Sequence, residues 1–375
     1  MEEWQIQTLR EDSALSRLAA DWNDLYERSS PATPFVSHAW LQSWWQHYGR
    51  PGRLVVITVW RTGLLVGAVA LMRRHRCGLP VLTPVGAGIS DFNDVLLDDS
   101  CAEEAARRLA RELANQYPRH TIDLPEVRDA AAAWRLAAAG PLRARRLRAS
   151  TCLELPALPV DELIGTLPAR TAKTRRTKRR KIQAAGIRPS RAAGDRVAAA
   201  VAVMMQLHRQ QWQGRGLNPE HGRARFDDHL RAAVPAMVER GQAQVVEYHL
   251  DNEIVAVDLA LVGRTMLCAY LYGHRPDLRK RVDVTQLLLS TALDSARGLG
   301  LPTLSLLRGD EPYKRRWRPR ERHNRRLLLA RGGGPSTLYA AGVRGRNWLA
   351  SLVKTRFPVL GNTTRRVTRW RPSFM

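Results

Sequence analysis

At 375 residues, 44% of them apolar, the chain exceeds what one hydrophobic core ordinarily organises, so two domains are expected. No uncharged apolar run of about eighteen residues occurs, and Glu2, Glu3 and Arg10 do not make an export signal, so a cytoplasmic location without membrane-spanning helices is expected. Cys77, Cys101, Cys152 and Cys268 stand apart with no CxxC or HExxH spacing, which leaves no metal site to read, and the formal charge of +25 points to an anionic partner.

Trp4 to Leu9 alternates like a half-buried strand, and Leu15, Leu18, Trp22 and Leu25 recur at helical spacing. Pro31 and Pro34 break the chain before a second helix from Ser37 to Tyr48, capped by Ser37 and carrying Trp40, Trp44 and Trp45 on one side. Leu54 to Trp60 and Leu64 to Met72, joined by Arg61-Thr62-Gly63, read as a hairpin. Gly78 to Gly88 reads as loop, Asp94 to Leu97 as a short strand, Ala102 to Asn115 as helix, Thr121 to Leu124 as extended and Ala130 to Ala139 as helix. This half is therefore α+β rather than a repeat of parallel strands and helices.

Pro156, Pro159 and Pro168 punctuate a crossing to a second half, with the boundary drawn at residue 155. Ala169 to Ala185 is free of proline and glycine and reads as one exposed cationic helix, since residues 165–190 hold nine Lys/Arg and no acid. Val197 to Gln213 and Phe226 to Arg240 are amphipathic helices, the second stopped by Gly241. Ala243 to Leu250, Glu253 to Val262 and Thr265 to Tyr272 form a three-strand meander with tight turns at Asp251-Asn252 and Gly263-Arg264. A helix from Val284 to Leu299 ends at Gly300, and Thr303 to Leu307 is a further strand.

Residues 308–326 hold nine Lys/Arg against three acids, and residues 331–375 hold nine and no acid. Only six of the sixty basic residues are lysine, a skew that coding bias explains, so the position of the charge is more informative than its total. The tail from Gly332 reads as a glycine hinge followed by an acid-free helix from Thr337 to Phe357 and an arginine-rich end. Either this basic tail makes a peripheral contact with an anionic membrane, or its helix docks on the second domain. The division is thus 1–155, 156–331 with the basic helix 169–185, and 332–375.

The segment Leu304-Ser305-Leu306-Leu307-Arg308-Gly309-Asp310-Glu311-Pro312-Tyr313-Lys314-Arg315-Arg316-Trp317 carries a G-x-x-x-Y-K-x-x-W spacing. Together with Phe35 to Trp40, Trp44-Trp45, Asp91-Phe92-Asn93-Asp94, the basic helix, and His208 with Trp212, it resembles the CelD-type acyltransferases of the GNAT (N-acetyltransferase) superfamily, over about residues 2–330. These are relatives of the FemAB aminoacyl transferases, which pair two GNAT-like halves. The resemblance implies an α+β fold of two GNAT-like halves, each a mixed, mostly antiparallel sheet flanked by helices.

The same resemblance implies that two neighbouring parallel strands splay apart and admit a pantetheine arm by strand-like hydrogen bonding. The helix after the fourth strand would aim its N-terminus at the donor pyrophosphate. That strand would be Thr265 to Tyr272, and that helix would begin near Asp283. The donor is then acetyl-CoA or another acyl-CoA, bound by Arg279, Lys280, Arg281 and Thr285, with no tightly bound cofactor. The family's [RQ]-x-x-G-x-[GA] loop is not kept, because valine stands at both small positions of Arg279-Lys280-Arg281-Val282-Asp283-Val284, and Asp283 would repel phosphate. The FemAB relatives use aminoacyl-tRNA, and the cationic helix Lys173 to Lys181 suits a phosphate backbone, so a tRNA donor stands as the alternative.

The chemistry asks for a base, an acid toward the leaving group and oxyanion donors. Glu311 is the candidate base and Tyr313 the candidate acid, with Arg308, Lys314, Trp317, His208, Trp212 and Asp91 binding substrate. The acceptor would be an amine on a small or glycan-like molecule. Plainer roles stand beside each: an ion pair with a nearby arginine for Glu311, loop packing for Tyr313 and Trp317, a structural histidine at His208, turn formation at Asp91 and Asp94, and a solvent-facing or capped strand position at Asp258. A non-catalytic nucleic-acid-binding protein is the reading from a different class, though no helix-turn-helix, zinc finger or RRM signature supports it.

Overall fold

In the computed structural model, which describes residues 3–213, 218–334 and 336–345, the alternating start becomes strand β1 (Trp4–Leu9). The short helices α1 (Ala14–Arg17) and α2 (Ala19–Glu27) follow, then α3 (His38–Tyr48) with its tryptophan face buried. The hairpin is β2 (Leu54–Arg61) and β3 (Leu64–Arg76), succeeded by β4 (Leu79–Pro84), β5 (Leu96–Leu97), α4 (Ala102–Gln116), β6 (Thr121–Val127), α5 (Ala133–Ala138) and β7 (Arg143–Pro156). Next come α6 (Val160–Gly165), α7 (Ala169–Ala184), β8 (Arg188–Arg191), α8 (Arg196–Trp212) and α9 (Ala224–Glu239). The meander is β9 (Ala243–Leu250), β10 (Glu253–Val262) and β11 (Met266–His274). The chain closes with α10 (Leu278–Arg281), α11 (Val284–Gly298), β12 (Thr303–Arg308), α12 (Pro312–Arg315), β13 (Arg320–Ala330) and a helical stretch over 336–345.

Contacts divide the chain into two units, the first made of residues 1–149, 218–225 and 324–375, the second of 150–217 and 226–323. In the first unit the strands run in the order β1-β2-β3-β4-β6-β13, with β5 beside β3. Helix α4 covers this sheet, because Ala102, Ala105, Ala106, Leu109, Ala110 and Leu113 recur at helical spacing and are all buried. Small residues let it approach closely: a Cβ on Gly67 of β3 would lie 3.2 Å from the Cβ of Ala105.

The stretch 336–345 belongs to the first unit, where Tyr339, Ala340 and Val343 pack with Val81, Leu147 and Leu328. The Tyr339 hydroxyl donates to Asp123 Oδ2 at 2.5 Å, and Arg326 Nε donates to Asp123 Oδ1 at 2.6 Å. Asp123 is 1% exposed, and although burial acts to raise its pKa, Arg326, Arg76 and Tyr339 together hold it below the usual carboxylate range. The rest of the tail, including the expected helix to Phe357 and the arginine-rich end, lies outside the described residues.

In the second unit the order is β7-β12-β11-β10-β9-β8. Helices α6, α7 and α11 bury Leu163, Ile164, Ala172, Leu289 and Leu293 with Leu304 and Leu306 of β12. Two strands read as loop or crossing, β4 and β7, and the arginine-rich β13 emerge as sheet. Their apolar residues are interrupted by proline or by arginines, which hides the period of two. Each unit is thus a mixed, mostly antiparallel sheet flanked by helices, and no described helix is long and apolar enough to cross a membrane.

Candidate active site

Strand β11 lies antiparallel to β10 on one side and parallel to β12 on the other. Its parallel register covers Met266↔Thr303, Leu267↔Leu304 and Cys268↔Ser305, after which β11 runs on to His274 and β12 to Arg308 without further paired positions. At the same level β11 bulges: Leu259 pairs Leu271 and Ala260 pairs Ala269, so β11 holds one residue more, Tyr270, than β10 does. A bulge re-aims backbone groups away from the ladder. Bulge and splay therefore fall together, opening a slot in the sheet lined by backbone.

Helix α8 is held hard against the far end of β11. A Cβ on Gly273 would stand 2.3 Å from Met204 O and 2.5 Å from His208 N, so only glycine fits there. The contact brings His208 Nδ1 to 2.7 Å from Tyr272 O, and because a carbonyl only accepts, that nitrogen carries the proton. Burial pulls the His208 pKa down to about 4, keeping the ring neutral near pH 7. Trp212 is one turn further on, its ring 6.3 Å from that of His208.

The loop after β12 is tied to itself. Gly309 takes φ +120°, and a Cβ there would meet the Glu311 carboxylate at 2.5 Å, so the glycine allows that carboxylate to fold back over the chain. Lys314, 8% exposed, donates from Nζ to Arg308 O and pairs with Glu311 Oε2, both at 3.0 Å. The ammonium expected to bind substrate anions thus orients Glu311 instead, and the ion pair expected with an arginine is made with this lysine. Tyr313 lies within electrostatic range of Tyr272 and Glu311, and burial first, then these two neighbours, push its pKa up, so the phenol keeps its proton. Trp317 is 2% exposed, within the core, with the Arg175 guanidinium 5.0 Å above its ring. Its role there is packing.

The start of α11 is occupied by its own cap. Asp283 accepts from Gln286 N at 3.2 Å and from Thr285 Oγ1 at 2.7 Å, while Lys178 Nζ lies at 2.6 Å and Arg175 at 3.2 Å. Burial acts to raise the Asp283 pKa, but the hydrogen bonds from Lys178, Thr285 and Gln286 outweigh it and hold it at about 2. Thr285, expected at the donor phosphates, is spent on this cap. Arg279, Lys280 and Arg281 stand exposed on α10, with Arg279 Nε donating to His274 Nε2 at 2.9 Å and His274 Nδ1 donating to Arg275 O at 2.7 Å. Of the cationic helix α7, Arg175 is buried and Arg179 pairs with Asp161, whereas Arg170, Lys173, Arg176, Arg180 and Lys181 are exposed.

Asp91 belongs to the first unit. Asn324 donates to Asp91 O at 3.3 Å, Asn93 Nδ2 donates to Pro125 O at 2.9 Å, and Phe35 meets Trp40 and Phe92 edge to face. Asp94 accepts from the backbone of Ala132 and Ala133 and so caps α5. Asp258, in the second unit, accepts from the buried Tyr248 hydroxyl at 3.2 Å, and burial pushes it up to about 7. Sequence reasoning missed Tyr270, Tyr272 and Arg175, because a bulge and a buried guanidinium leave no periodic mark. Among the described residues no group of three or more His, Cys, Asp or Glu is placed to hold a metal.

Residues 169–315 match the family described as acetyltransferase (GNAT) domain. FemX shares the fold at TM-score 0.62 and 12% identity, covering 89% of this chain and 99% of FemX. L-PGS from Bacillus licheniformis follows at 0.55 and 9%, covering 87% and 95% of the two chains. The C-terminal (DUF2156) domain of a lysylphosphatidylglycerol synthetase candidate from Agrobacterium fabrum stands at 0.54 and 11%, covering 91% and 98%. Comparison with curated protein sequences gave no match. With a GNAT acetyltransferase model matching residues 169–315 and a FemX-like fold over most of its length, the chain is similar to the FemAB-like acyltransferases of the GNAT superfamily.

Proposed function

We propose that the protein moves an acyl group from acyl-CoA to an amine of a small or glycan-like acceptor, with the reacting carbonyl in the β11–β12 slot. The coincidence of the Tyr270 bulge with the point where β12 leaves β11 carries this reading. Backbone donors released there stabilise the oxyanion as the amine adds to the carbonyl. Glu311 accepts the proton of the attacking nitrogen, a C–N bond forms, and the C–S bond breaks as Tyr313 protonates the departing thiolate. His208, Trp212 and Arg308 line the acceptor side, and Arg279, Lys280 and Arg281 hold donor phosphates through side chains rather than a backbone cradle.

One observation favours a second donor. The Asp283 carboxylate sits where free N–H groups would otherwise welcome a pyrophosphate, and α7 offers five exposed cations on an acid-free helix. Both features suit an aminoacyl-tRNA ester, and one fold neighbour carries an aminoacylated lipid in its name. Incubating the protein with acetyl-CoA, longer acyl-CoAs and an aminoacyl-tRNA mixture, with mass-spectrometric detection of acylated amines, separates the two. Thiol release that survives ribonuclease supports acyl-CoA. Transfer abolished by ribonuclease moves the donor to tRNA, and no transfer from any donor rejects the slot as the reaction site.

A further inference from the structure

Gln211 on α8 is 4% exposed, and neither its Nε2 nor its Oε1 has a hydrogen-bond partner among the described residues. A buried amide with both ends unsatisfied is rare in folded proteins and calls for a ligand or a function. Its place is informative. Gln211 comes close enough to the Tyr272 hydroxyl to act on its proton affinity, yet neither amide atom meets it in hydrogen-bond geometry, and Tyr272 belongs to the part of β11 beyond the last residue paired with β12. It also follows His208 by three residues on a helix that Gly273 and the His208–Tyr272 hydrogen bond clamp to that same strand. Gln211 is therefore held at the slot by packing on either side.

We infer that Gln211 recognises a secondary amide of the substrate. A carboxamide presents one acceptor and a two-proton donor without charge, the complement of a peptide-type group rather than of a phosphate or carboxylate. Amide-to-amide pairing would satisfy both ends of Gln211 at once, which one hydroxyl or one anion would not. Two sources offer such a group at this position, the pantetheine arm of an acyl-CoA donor and a peptide-like acceptor. The inference rests on the slot being the acyl-transfer site.

The test compares wild type with Gln211→Leu and the volume-conserving Gln211→Met. Acetyl-CoA, S-acetyl-N-acetylcysteamine, which keeps one amide, and S-acetyl-mercaptoethanol, which has none, are the donors. Glycinamide and ethylamine are the acceptors. We expect KM for the amide-bearing members of one arm to rise about tenfold, the loss of about 1.4 kcal/mol of binding. KM for the amide-free members stays put, and both variants melt at a higher temperature than wild type because an unsatisfied polar group has been removed. Equal KM changes for amide-bearing and amide-free probes, or a lowered melting temperature in both variants, overturn the inference. If wild type turns over none of the thioesters, the acyl-CoA reading alone fails. The role of Gln211 is then decided by the melting temperatures and by whether N-acetylcysteamine and glycinamide bind wild type more tightly than the variants.

Discussion

Both units contain a parallel strand pair that stays together for only a few residues, yet the two openings are treated differently. In the first unit β4 and β6 register at Val81↔Thr121 and Leu82↔Ile122, and beyond that point Pro84, Val85 and Asn93 line a small pocket with Trp22, Leu41 and Asp94. Asn93 reaches Pro125 O and Glu126 O, Asn324 reaches Glu126 Oε2, and Trp40 donates to Ser90 at 2.9 Å. Helix α4 of that unit begins with Glu103 and Glu104, which pair with Arg135 and with Arg107 and Arg108. In the second unit the opening coincides with a bulge, the adjoining loop holds Glu311 beside Tyr313, and the carboxylate at the start of α11 is balanced by Lys178 and Arg175. The same sheet device is therefore proposed to serve as scaffold in one half and as the reaction site in the other, where the bulge and the loop carrying Glu311 and Tyr313 adjoin it.

The largest contrast is expected in catalysis. Glu311→Gln should lower kcat/KM by about 10²–10⁴-fold and Tyr313→Phe by about 10²-fold with little change in melting temperature. Glu126→Gln in the first unit should leave kcat/KM of the folded protein within about twofold, by steady-state kinetics. Equal losses from both units would erase the contrast. Next in size is a stability effect confined to the first unit. Asp123→Asn should cost about 3–5 kcal/mol in denaturant unfolding, because Arg326 is left buried without its charge partner. Catalysis by the folded fraction should be unchanged.

Gly309→Ala should cost about 1–3 kcal/mol in backbone strain and displace the Glu311 carboxylate, lowering turnover about tenfold or more. A variant with wild-type turnover would detach Glu311 from the reaction. The smallest effects lie in pH dependence. The folded-state pKa of Asp258, about 7, is above its ordinary value of 3.8, so its favourable contribution is full below pH 3.8 and is lost as pH rises through 7. Asp258→Asn should therefore be more stable than wild type at pH 8, with the gap closing toward pH 4. His208, depressed from 6.5 to about 4, runs the other way, contributing stability above pH 6.5 that is lost as pH falls through 4. His208→Gln should flatten that acid limb in thermal melts across pH.

Much of the fold was legible because apolar periodicity and turn chemistry agree locally. The meander β9-β10-β11, with Asp251-Asn252 in its first turn, and the helix begun by Asp283 are read directly from residues. The loop from Gly309 to Trp317 was likewise found by its spacing. Roles within it were less legible, since a lysine six residues after Arg308 and a tryptophan three further on look alike whether they face substrate or fold inward. Only the folded chain turns Lys314 onto Arg308 O and Trp317 under Arg175. The bulge at Tyr270 and the unsatisfied amide of Gln211 depend on strand register and on helix packing against Gly273, and neither is a property of local sequence.

Amide hydrogen exchange with and without bound donor tests the contrast between the halves most directly. With acetyl-CoA, or with an aminoacyl-tRNA carrying a non-hydrolysable amide link, residues 269–274 and 305–314 should gain protection while 81–84 and 121–127 stay unchanged. Protection appearing at 121–127 instead, or at neither place under saturating donor, would contradict a reaction site between β11 and β12.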